Sequence, residues 1–497
     1  MAPNSSVEHV PLPHTENGAN KVRNGVSSTL KSYANQVSNP KALKCQFRAL
    51  VFLLFHVAAI PFWAVITALL VLRAKFFTKT VEAPKVEEKK RRKVLVNGSP
   101  MTKSLHVVRI LGRAGHEVIL ADSETFRSNG AQHSKYVSKF VRLPDFASEE
   151  GRQAYVDALV KVAKEEEVDW FVPVSHTKTS VPDTIAAERL RDLGVKCLVF
   201  DAPETTEMLD DKVIFLEECR AMDLPVPGFF SVSNVAEVMG LREQGVFTDT
   251  HYFLKPLTPY SEERENFTRI PAGAEACEEF LRDYAAKIRP TNPYFVCQFV
   301  RGKEFASNAV CAGGRVLAIQ VVPSSPTQID YDAVSHPEIE AWTSRFIREK
   351  GLSGTVCFDF LEDAETKNVY CIECNPRLHS AIAAFHYDPD LEVAIRAGLE
   401  PESVTSEEQA RLPVRPRPGL PHVYWLYNEM AKVLRRELEV RKFLSIVMGG
   451  KEAVYEDDDP SPFAWSNTAQ LIDLLWQRMW TGEVWSFVNP CMGQLRS

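Results

Sequence analysis

The fold is decided by one stretch, which runs Thr355-Val-Cys-Phe-Asp-Phe-Leu361 and continues, after a polar segment, as Val369-Tyr-Cys-Ile-Glu-Cys-Asn-Pro-Arg377. Both runs are rich in the β-branched and aromatic residues that favour strands. The polar segment 362–368 between them predicts a hairpin connection. If the two strands pair, Asp359 lies close to Glu373.

Carboxylate and amide oxygens gather at this predicted hairpin. The two-residue period of a strand places Glu373 and Asn375 on one face, beside Asp359 of the partner strand. Mg²⁺ takes a few such oxygen ligands and completes its shell with water and phosphate. We therefore predict a metal site of Asp359, Glu373 and Asn375, with the Arg377 guanidinium placed to bind a phosphoryl group. An ordinary polar face on a hairpin is the alternative.

The composition is that of a large globular protein with a slightly acidic balance. The 497 residues are 45% hydrophobic and 25% charged, and this length predicts about three domains. A net charge of −7 argues against nucleic acid as a partner. The ten cysteines are scattered, as expected in a reducing compartment. Cys371 and Cys374 form a CxxC pair, but no second Cys/His pair stands at zinc spacing.

The N-terminal part predicts a membrane anchor. Residues 1–48 are mainly polar and predict a disordered tail. The run 49–72 is long enough to cross a bilayer and contains no charged residue, with only His56 and Thr67 as clearly polar members. It predicts a transmembrane helix, although Pro61 leaves a kinked or re-entrant hairpin open and a buried core helix is the alternative.

Basic residues flank this run unequally. Those before it are Lys31, Lys41, Lys44 and Arg48, and those after it are Arg73, Lys75, Lys79, Lys85, Lys89, Lys90, Arg91 and Arg92. The more basic side stays cytoplasmic, which predicts a single-pass or monotopic membrane protein whose catalytic domains face the cytoplasm and whose partners include membrane lipid. Segment 73–93 is predicted to be a charged linker.

Residues 94–204 predict a small parallel α/β domain. The pattern begins with a strand near 93–97, a helix at 105–114 and a strand at 117–122. Such a unit can bind NAD(P) with Asp122 on the ribose, but Gly98 stands alone where that fingerprint needs three glycines.

The second half of this domain repeats the pattern. It continues as a helix at 155–166, a strand at 168–174, a helix at 181–193 and a strand at 195–200. Ser175, His176 and Thr177 follow a strand, where a ligand of such a domain binds.

Further motifs stand upstream of the metal hairpin in a definite order. They are the run Thr205–Lys212, the strand Tyr252–Pro256 with Lys255, and the run Tyr294–Phe305 with Gln298 and Glu304. Together with Asp359, Glu373 and Asn375 they resemble the signature of the ATP-grasp ligases over residues 94–400.

The resemblance implies an α/β chain with an ATP-grasp fold of two α+β lobes at 205–405. A Rossmann-like pre-ATP-grasp domain at 94–204 would precede it. It also implies roles for individual residues: Lys212 and Lys255 on the ATP phosphates, Gln298 and Val300 at the adenine, Glu304 at the ribose, and Mg²⁺ or Mn²⁺ on the metal residues. The loop 257–270 contains no glycine, unlike the phosphate loop of most members, so its role stays open.

A finer resemblance is to the ligases that form mycosporine-glycine. It rests on the hydrophobic N-terminal run, the Trp-rich tail and four motifs: Met101–Lys103, Leu209–Lys212, Gln328–Tyr331 and Glu373–Ser380. It implies ATP-dependent joining of glycine to 4-deoxygadusol, with catalysis by Arg377 and Lys255. The residues predicted to bind the acceptor and the amino acid are Asp330, Tyr331, Arg377, His379 and Ser380.

Residues 406–497 predict a helical, aromatic C-terminal region, which either caps the ligase core or lies on a membrane surface. Two other functions remain open: a generic ATP-grasp carboxylate–amine ligase, and a catalytically dead, membrane-tethered nucleotide-binding scaffold. A homo-oligomeric state is also left open.

Overall fold

The computed structural model describes residues 40–77, 87–257, 268–324 and 329–496. Several predictions therefore lie outside the described residues: most of the tail 1–48, the middle of the linker 73–93, most of the loop 257–270, and Gln328.

The hydrophobic N-terminal run forms two helices, α1 (Pro40–Ala58) and α2 (Ile60–Phe77), instead of the single helix predicted over 49–72. The break falls beside Pro61, which has no N–H to bond the carbonyl of residue 57 and so interrupts the helix. Within the described part of the chain, neither helix by itself has the length and apolar composition of a membrane span. Taken as one unit bent by 45°, Ala42–Ala58 and Ile60–Arg73 do.

A five-stranded parallel sheet follows. Its strands are β1 (Lys93–Val96), β2 (Glu117–Ser123), β3 (Val137–Leu143), β4 (Trp170–Val172) and β5 (Lys196–Cys197), and its helices are α3 (Thr102–Ala114), α4 (Glu149–Glu165) and α5 (Ser180–Asp192). The strand order is β3-β2-β1-β4-β5, which confirms the predicted parallel α/β arrangement. The sequence did not predict β3, because this edge strand exposes much of its length and lacks a clear apolar period.

The next lobe carries a three-stranded antiparallel sheet in the order β6-β8-β7. Its elements in chain order are α6 (Pro203–Asp210), α7 (Lys212–Ala221), β6 (Phe229–Val232), α8 (Val235–Glu243), β7 (Tyr252–Pro256), α9 (Ala274–Arg282) and β8 (Tyr294–Gln298). A separate cluster of buried apolar side chains, with Val232 and Leu281 among them, holds the helices α8 and α9 on one face of this sheet.

The following lobe carries a four-stranded antiparallel sheet. Its strands and helices are β9 (Gly302–Ala312), β10 (Arg315–Pro323), α10 (Pro337–Lys350), β12 (Gly354–Asp363), β13 (Val369–Asn375) and α11 (Asp390–Leu399), with the short strand β11 (Asp330–Tyr331) outside the sheet. The order is β10-β9-β12-β13, and Trp342 and Phe346 of α10 pack on Phe358. The two α+β lobes predicted from the resemblance are therefore present as two antiparallel sheets.

The C-terminal region is helical, as predicted, but it also contains short strands. The helices are α12 (Ser406–Ala410), α13 (Leu426–Leu434), α14 (Val440–Gly449), α15 (Ser461–Trp465) and α16 (Leu471–Thr481), and the strands are β14 (Val423–Tyr424), β15 (Lys451–Glu452), β16 (Phe487–Asn489) and β17 (Gln494–Arg496). Strand β14 pairs with β11, and Arg109 of α3 forms a fully buried ion pair with Asp459 at 2.8 Å. This region therefore packs on both the parallel domain and the second lobe.

Candidate active site

The hairpin of β12 and β13 places the predicted metal residues together. Asp359 lies directly opposite Glu373 in the register, and the segment 364–368 connects the strands, so the predicted pairing is confirmed. The Asn375 side-chain amide donates a hydrogen bond of 2.9 Å to Oδ2 of Asp359. An irregularity in the pairing follows Asp359, and such bulges re-aim side chains next to active sites.

The electrostatics of this cluster favour a cation. Burial, the adjacent Glu373 and the nearby Glu304 together raise the pKa of Asp359 well above its ordinary value. Two carboxylates and an amide oxygen match the preference of Mg²⁺ for hard oxygen donors. Across the described ranges, no three His, Cys, Asp or Glu side chains form a complete metal-binding group. Mg²⁺ held here would therefore take further ligands from water and phosphate, which is its usual behaviour.

The two predicted phosphate lysines lie against the same strand, β8. Lys212 begins helix α7, whose first turn is capped by the Asp211 side chain. Its Nζ lies 5.8 Å from the centre of the Phe295 ring and 3.5 Å from Oε2 of Glu373. Lys255 of β7 is paired with Phe295 in the register. Lys212 of the first lobe thus forms an ion pair with Glu373 of the second, and both lysines lie close enough to Glu304 to interact with its charge. We call the place where these lysines meet Asp359, Glu373 and Glu304 the cleft.

Arg377 joins this cluster from the end of β13. Its guanidinium donates a short hydrogen bond to Oδ1 of Asn375, and its Nη1 lies 3.5 Å from Oδ1 of Asp210. Nη1 is buried and has no hydrogen-bond partner among the described residues. A buried N–H group without a partner is costly, and an anionic ligand would satisfy it. Asn375, by contrast, has both side-chain atoms engaged here, so binding a cation would compete with Arg377.

The predicted adenine and ribose residues lie where the two lobes join. The segment 299–301, which includes the buried Val300, connects β8 of the three-stranded sheet to β9 of the four-stranded sheet. Gln298 is engaged with the backbone, because its Oε1 accepts a 2.8 Å hydrogen bond from the Gly228 N–H. Removal from water and the charge of Glu373 raise the pKa of Glu304, although part of its side chain is exposed.

The residues predicted to bind the acceptor and the amino acid separate into two groups. Tyr331 is buried and makes an edge contact with His379 at 5.6 Å, and the buried Ser380 follows in the chain. His379 also caps a short 3-10 helix, since its Nδ1 accepts from the Ala381 N–H. Burial, together with the nearby cations, lowers the pKa of His379 to about 3, so the ring is neutral. Asp330 points elsewhere and forms an ion pair with Lys432 at 3.2 Å.

Lys103 is a residue of this site that the sequence analysis quoted in a motif without giving it a role. Its ammonium group is buried and donates to the carbonyls of Ser175 at 3.0 Å and Leu378 at 2.7 Å. It therefore ties the parallel domain to the residue that follows Arg377. Burial and the charge of Arg377 lower the pKa of Lys103 to about 7. A signal existed, because a lysine in the first turn of a helix opposes the helix dipole.

The parallel domain does not present a nucleotide site at Asp122. This carboxylate is only 4% exposed, and its two oxygens accept from the backbone N–H groups of Ser99 and Ser123. A ribose cannot reach it, which favours the structural interpretation of this βαβ unit. The nearby Ser175 is likewise engaged, since its hydroxyl donates to Asp183 at 2.7 Å.

The CxxC pair is also structural. Cys371 and Cys374 are buried, unpaired thiols, and burial raises the pKa of each. Reactive and metal-binding cysteines need the thiolate, which this environment disfavours.

No protein-family model matches this chain, and no curated protein matches it in sequence. Solved structures are similar at a low level. The L-amino acid ligase from Bacillus licheniformis is 16% identical with a TM-score of 0.46, and the match covers 67% of this chain and 78% of that one. A biotin carboxylase from Campylobacter jejuni is 14% identical with a TM-score of 0.43, covering 59% and 67%. The pyruvate carboxylase of Rhizobium etli is 16% identical with a TM-score of 0.46, covering 67% of this chain and 30% of that one. Similarity at this level assigns neither a reaction nor a substrate.

Proposed function

We propose that this chain is an ATP- and Mg²⁺-dependent ligase that phosphorylates an oxygen of an acceptor and then couples an amino acid to it. The observation that carries this proposal is the meeting of opposite charges between the lobes: Lys212 pairs with Glu373, which lies opposite Asp359, and Lys255 lies close to Glu304. Two ammonium groups opposite two close carboxylates suit a triphosphate bridged to a divalent cation. Mn²⁺ could take the place of Mg²⁺ there.

The proposed reaction has two steps. The acceptor oxygen attacks the γ-phosphorus of ATP, and the bond to ADP breaks. The amine nitrogen then attacks the activated carbon, and phosphate leaves with the acceptor's oxygen and a proton is released. A bound Mg²⁺ would offset the charge on the phosphates. The Lys212 and Lys255 ammonium groups add positive charge at the same place.

Among the described residues, Arg377 lies next to the predicted metal residues and is our candidate to meet the transferred group. It follows Asn375 by two residues, and its buried Nη1 makes no well-formed hydrogen bond in the described chain, although Asp210 lies 3.5 Å away. A planar guanidinium can hold two oxygens of a phosphoryl group at once. His379, whose ring is neutral, follows Arg377 by two residues and contacts the buried Tyr331, and Ser380 comes next in the chain. We assign these side chains to the acceptor because they are the uncharged groups next to Arg377.

The finer proposal is that the acceptor is 4-deoxygadusol and the amino acid is glycine, giving mycosporine-glycine. Its support is the set of motifs noted in the sequence, of which Leu209–Lys212 and Glu373–Ser380 both lie at the cleft. A generic carboxylate–amine ligase is the broader form of the same proposal, with a carboxylate oxygen as acceptor.

The experiment is phosphate release from ATP by the full chain with MgCl₂, measured with 4-deoxygadusol plus glycine and, separately, with pairs of amino acids. Product mass identifies the bond formed, and ¹⁸O in the acceptor's hydroxyl should appear in phosphate. Phosphate release with amino-acid pairs alone would replace the finer proposal by the generic one. If neither mixture supports release above Glu373→Gln, the scaffold interpretation stands and the ligase proposal is wrong.

A further inference from the structure

More than half of the exposed large apolar side chains in the described part of the chain lie on α1 and α2, on the side turned away from the globular part. Among them are Leu54 at 61%, Phe55 at 60% and Leu69 at 56%. The full set is Leu43, Phe47, Leu50, Val51, Leu54, Phe55, Val57, Ile60, Phe62, Val65, Leu69, Val71, Leu72 and Phe76. Soluble monomers rarely expose so many neighbouring apolar side chains, so this face is an interaction surface.

The inward side of the same two helices is packed on the C-terminal region. Ala49 and Leu53 of α1 are buried in one cluster with Leu475 of α16 and with Trp485. Arg48 lies 4.3 Å from the centre of the Trp485 ring and donates to its carbonyl. The helices are therefore held along the surface of the globular part.

Helix α2 is held in the same way. Trp63 is 3% exposed and makes an edge contact with Phe463 of α15, with ring centres 5.9 Å apart. At the bend between the helices, the buried His56 stacks on Tyr427 of α13 at 5.8 Å. A helix pair held by contacts at Leu53, His56 and Trp63 cannot also cross a bilayer without breaking them.

The C-terminal helices beside the pair continue its apolar face. Trp476 and Trp480 of α16 are exposed, and Gly482 at the end of that helix lies against Ala42 and Gln46 of α1. Helix α14 lies near the end of α2, because Tyr424 donates to the Val447 carbonyl of α14 and lies close enough to Arg73 to interact with its charge. This helix exposes Val440, Leu444 and Met448, the last at 79%. Exposed tryptophans are typical of membrane interfaces, where the ring is apolar and its N–H group stays polar.

The chemistry of this face fits a lipid bilayer better than a protein partner. Between residues 49 and 72 its polar side chains are His56, which is buried, and Thr67, whose hydroxyl donates to the Trp63 carbonyl. A protein interface carries about one hydrogen bond per 100–200 Å², and this surface can supply almost none. Hydrocarbon requires none, because helices satisfy their own backbone groups.

Basic side chains at the edge of this face also fit a membrane as its partner. Arg73 and Lys75 lie exposed at the end of α2, and Arg441 and Lys442 are exposed on α14. Basic side chains at the border of an apolar surface meet the anionic headgroups of a membrane.

We propose that α1, α2 and the neighbouring C-terminal helices form one membrane-binding face, which enters a single leaflet and does not cross it. Both ends of the helix pair then lie on the same side of the membrane as the catalytic cleft. The protein is monotopic, and the bend at residue 59 lets two short helices follow the globular surface instead of one helix leaving it.

The first test is flotation of the full chain with vesicles of phosphatidylcholine and phosphatidylserine. The wild type should float with the vesicles. For the double variant Leu54→Glu with Leu69→Glu, the fraction of protein that floats should be at least ten-fold smaller than for wild type. Its thermal midpoint should be unchanged, because both side chains are exposed. Leu193→Glu is the matched control, since Leu193 is 49% exposed on the parallel domain far from this face in the chain, and it should float like wild type.

The second test distinguishes the leaflet from a crossing. The chain is synthesised with sealed microsomes, carrying one protease-sensitive tag before residue 1 and another after residue 497, and protease is added outside. Removal of both tags supports the proposal, whereas protection of only the first tag overturns it. The proposal is also overturned if the wild-type protein does not float with the vesicles. It is overturned as well if the wild-type protein is a dimer that the double variant Leu54→Glu with Leu69→Glu dissociates, because the face is then an interface between copies. Phosphate release by the double variant in detergent, measured in parallel, keeps this outcome separate from the catalytic proposal.

Discussion

Two polar clusters of this chain stand at the ends of buried strands, and they differ in how fully their groups are satisfied. In the parallel domain, Asp183 accepts from Asn97 at 2.8 Å, from Tyr155 at 2.9 Å and from Ser175 at 2.7 Å, and all four residues are buried. This network is closed, because each group finds its partner inside the protein.

The cluster in the cleft is open. Asp359 faces the like-charged Glu373, and Nη1 of Arg377 is buried without a well-formed hydrogen bond among the described residues, its acidic neighbour Asp210 lying 3.5 Å away. Placement at a strand end is common to both clusters. We infer that unsatisfied charge, and not position in the fold, distinguishes the candidate active site from a structural network.

The largest effect should come from the cleft carboxylates. Glu373→Gln or Asp359→Asn removes one charge while preserving shape, and loss of cation binding should lower turnover by about 1,000-fold, or ~4 kcal/mol of transition-state stabilisation. The nucleotide-free Asp359→Asn protein should melt no lower than wild type, because the change relieves repulsion from Glu373 and Glu304. Turnover and the thermal midpoint are measured on the same preparation.

The control for this pair is Glu365→Gln, an equal change of charge in the exposed connection of the same hairpin, and it should leave turnover unchanged. Normal turnover by Asp359→Asn together with Glu373→Gln would show that the open cluster is not the metal site.

Arg377→Lys should have the next largest effect. Lysine keeps the positive charge but cannot bond two oxygens at once, so turnover should fall about 100-fold while the KM for ATP changes less than about three-fold. Steady-state kinetics at varied ATP give both values. A variant that is less stable but fully active would show that Arg377 has only a structural role, through its contacts with Asn375 and Asp210.

A substitution in the closed network should lower stability and leave turnover nearly unchanged. Asp183→Ala leaves the side-chain donors of Asn97, Tyr155 and Ser175 without their acceptor, which should cost about 3 kcal/mol of unfolding free energy. Turnover per folded molecule should stay within about two-fold of wild type. Chemical denaturation measures the first quantity, and phosphate release normalised to folded protein measures the second. Loss of turnover with unchanged stability would contradict the distinction between the two clusters.

The sequence predicts the parts of the molecule whose patterns are local. The facing of Asp359 and Glu373 followed from two strands and a polar turn, and the parallel domain followed from alternating helix and strand periods. The pairing of Asp330 with Lys432 could not be predicted, because the two residues lie 102 positions apart and no local sequence pattern indicates the contact.

The structure has two helices where one was predicted over 49–72, for a related reason, and the membrane span itself stays a prediction. Apolar composition reports that a segment avoids water, but it does not report whether lipid or protein covers it. Pro61 indicated a kink, and the docking of one helix face on Phe463 and Trp485 became visible only in the folded chain.

The smallest effect concerns Lys103, which links the two clusters through its contacts with Ser175 and Leu378. Its pKa falls from 10.5 to about 7 on folding. Between these values the unfolded chain binds the additional proton, so the free energy of unfolding rises with pH from about pH 7 towards pH 10. Below pH 7 the Lys103 amine is protonated in both the folded and the unfolded chain, so the free-energy cost of burying its charge no longer changes with pH. The thermal midpoint of wild type minus that of Lys103→Met should therefore increase by a few degrees between pH 7 and pH 9, and a Lys178→Met control, at an exposed lysine, should show no such change. A difference that is flat or falls with pH would mean that the ammonium group keeps its charge in the folded protein, held by the two carbonyls, and that Lys103 is a permanent cation beside Arg377.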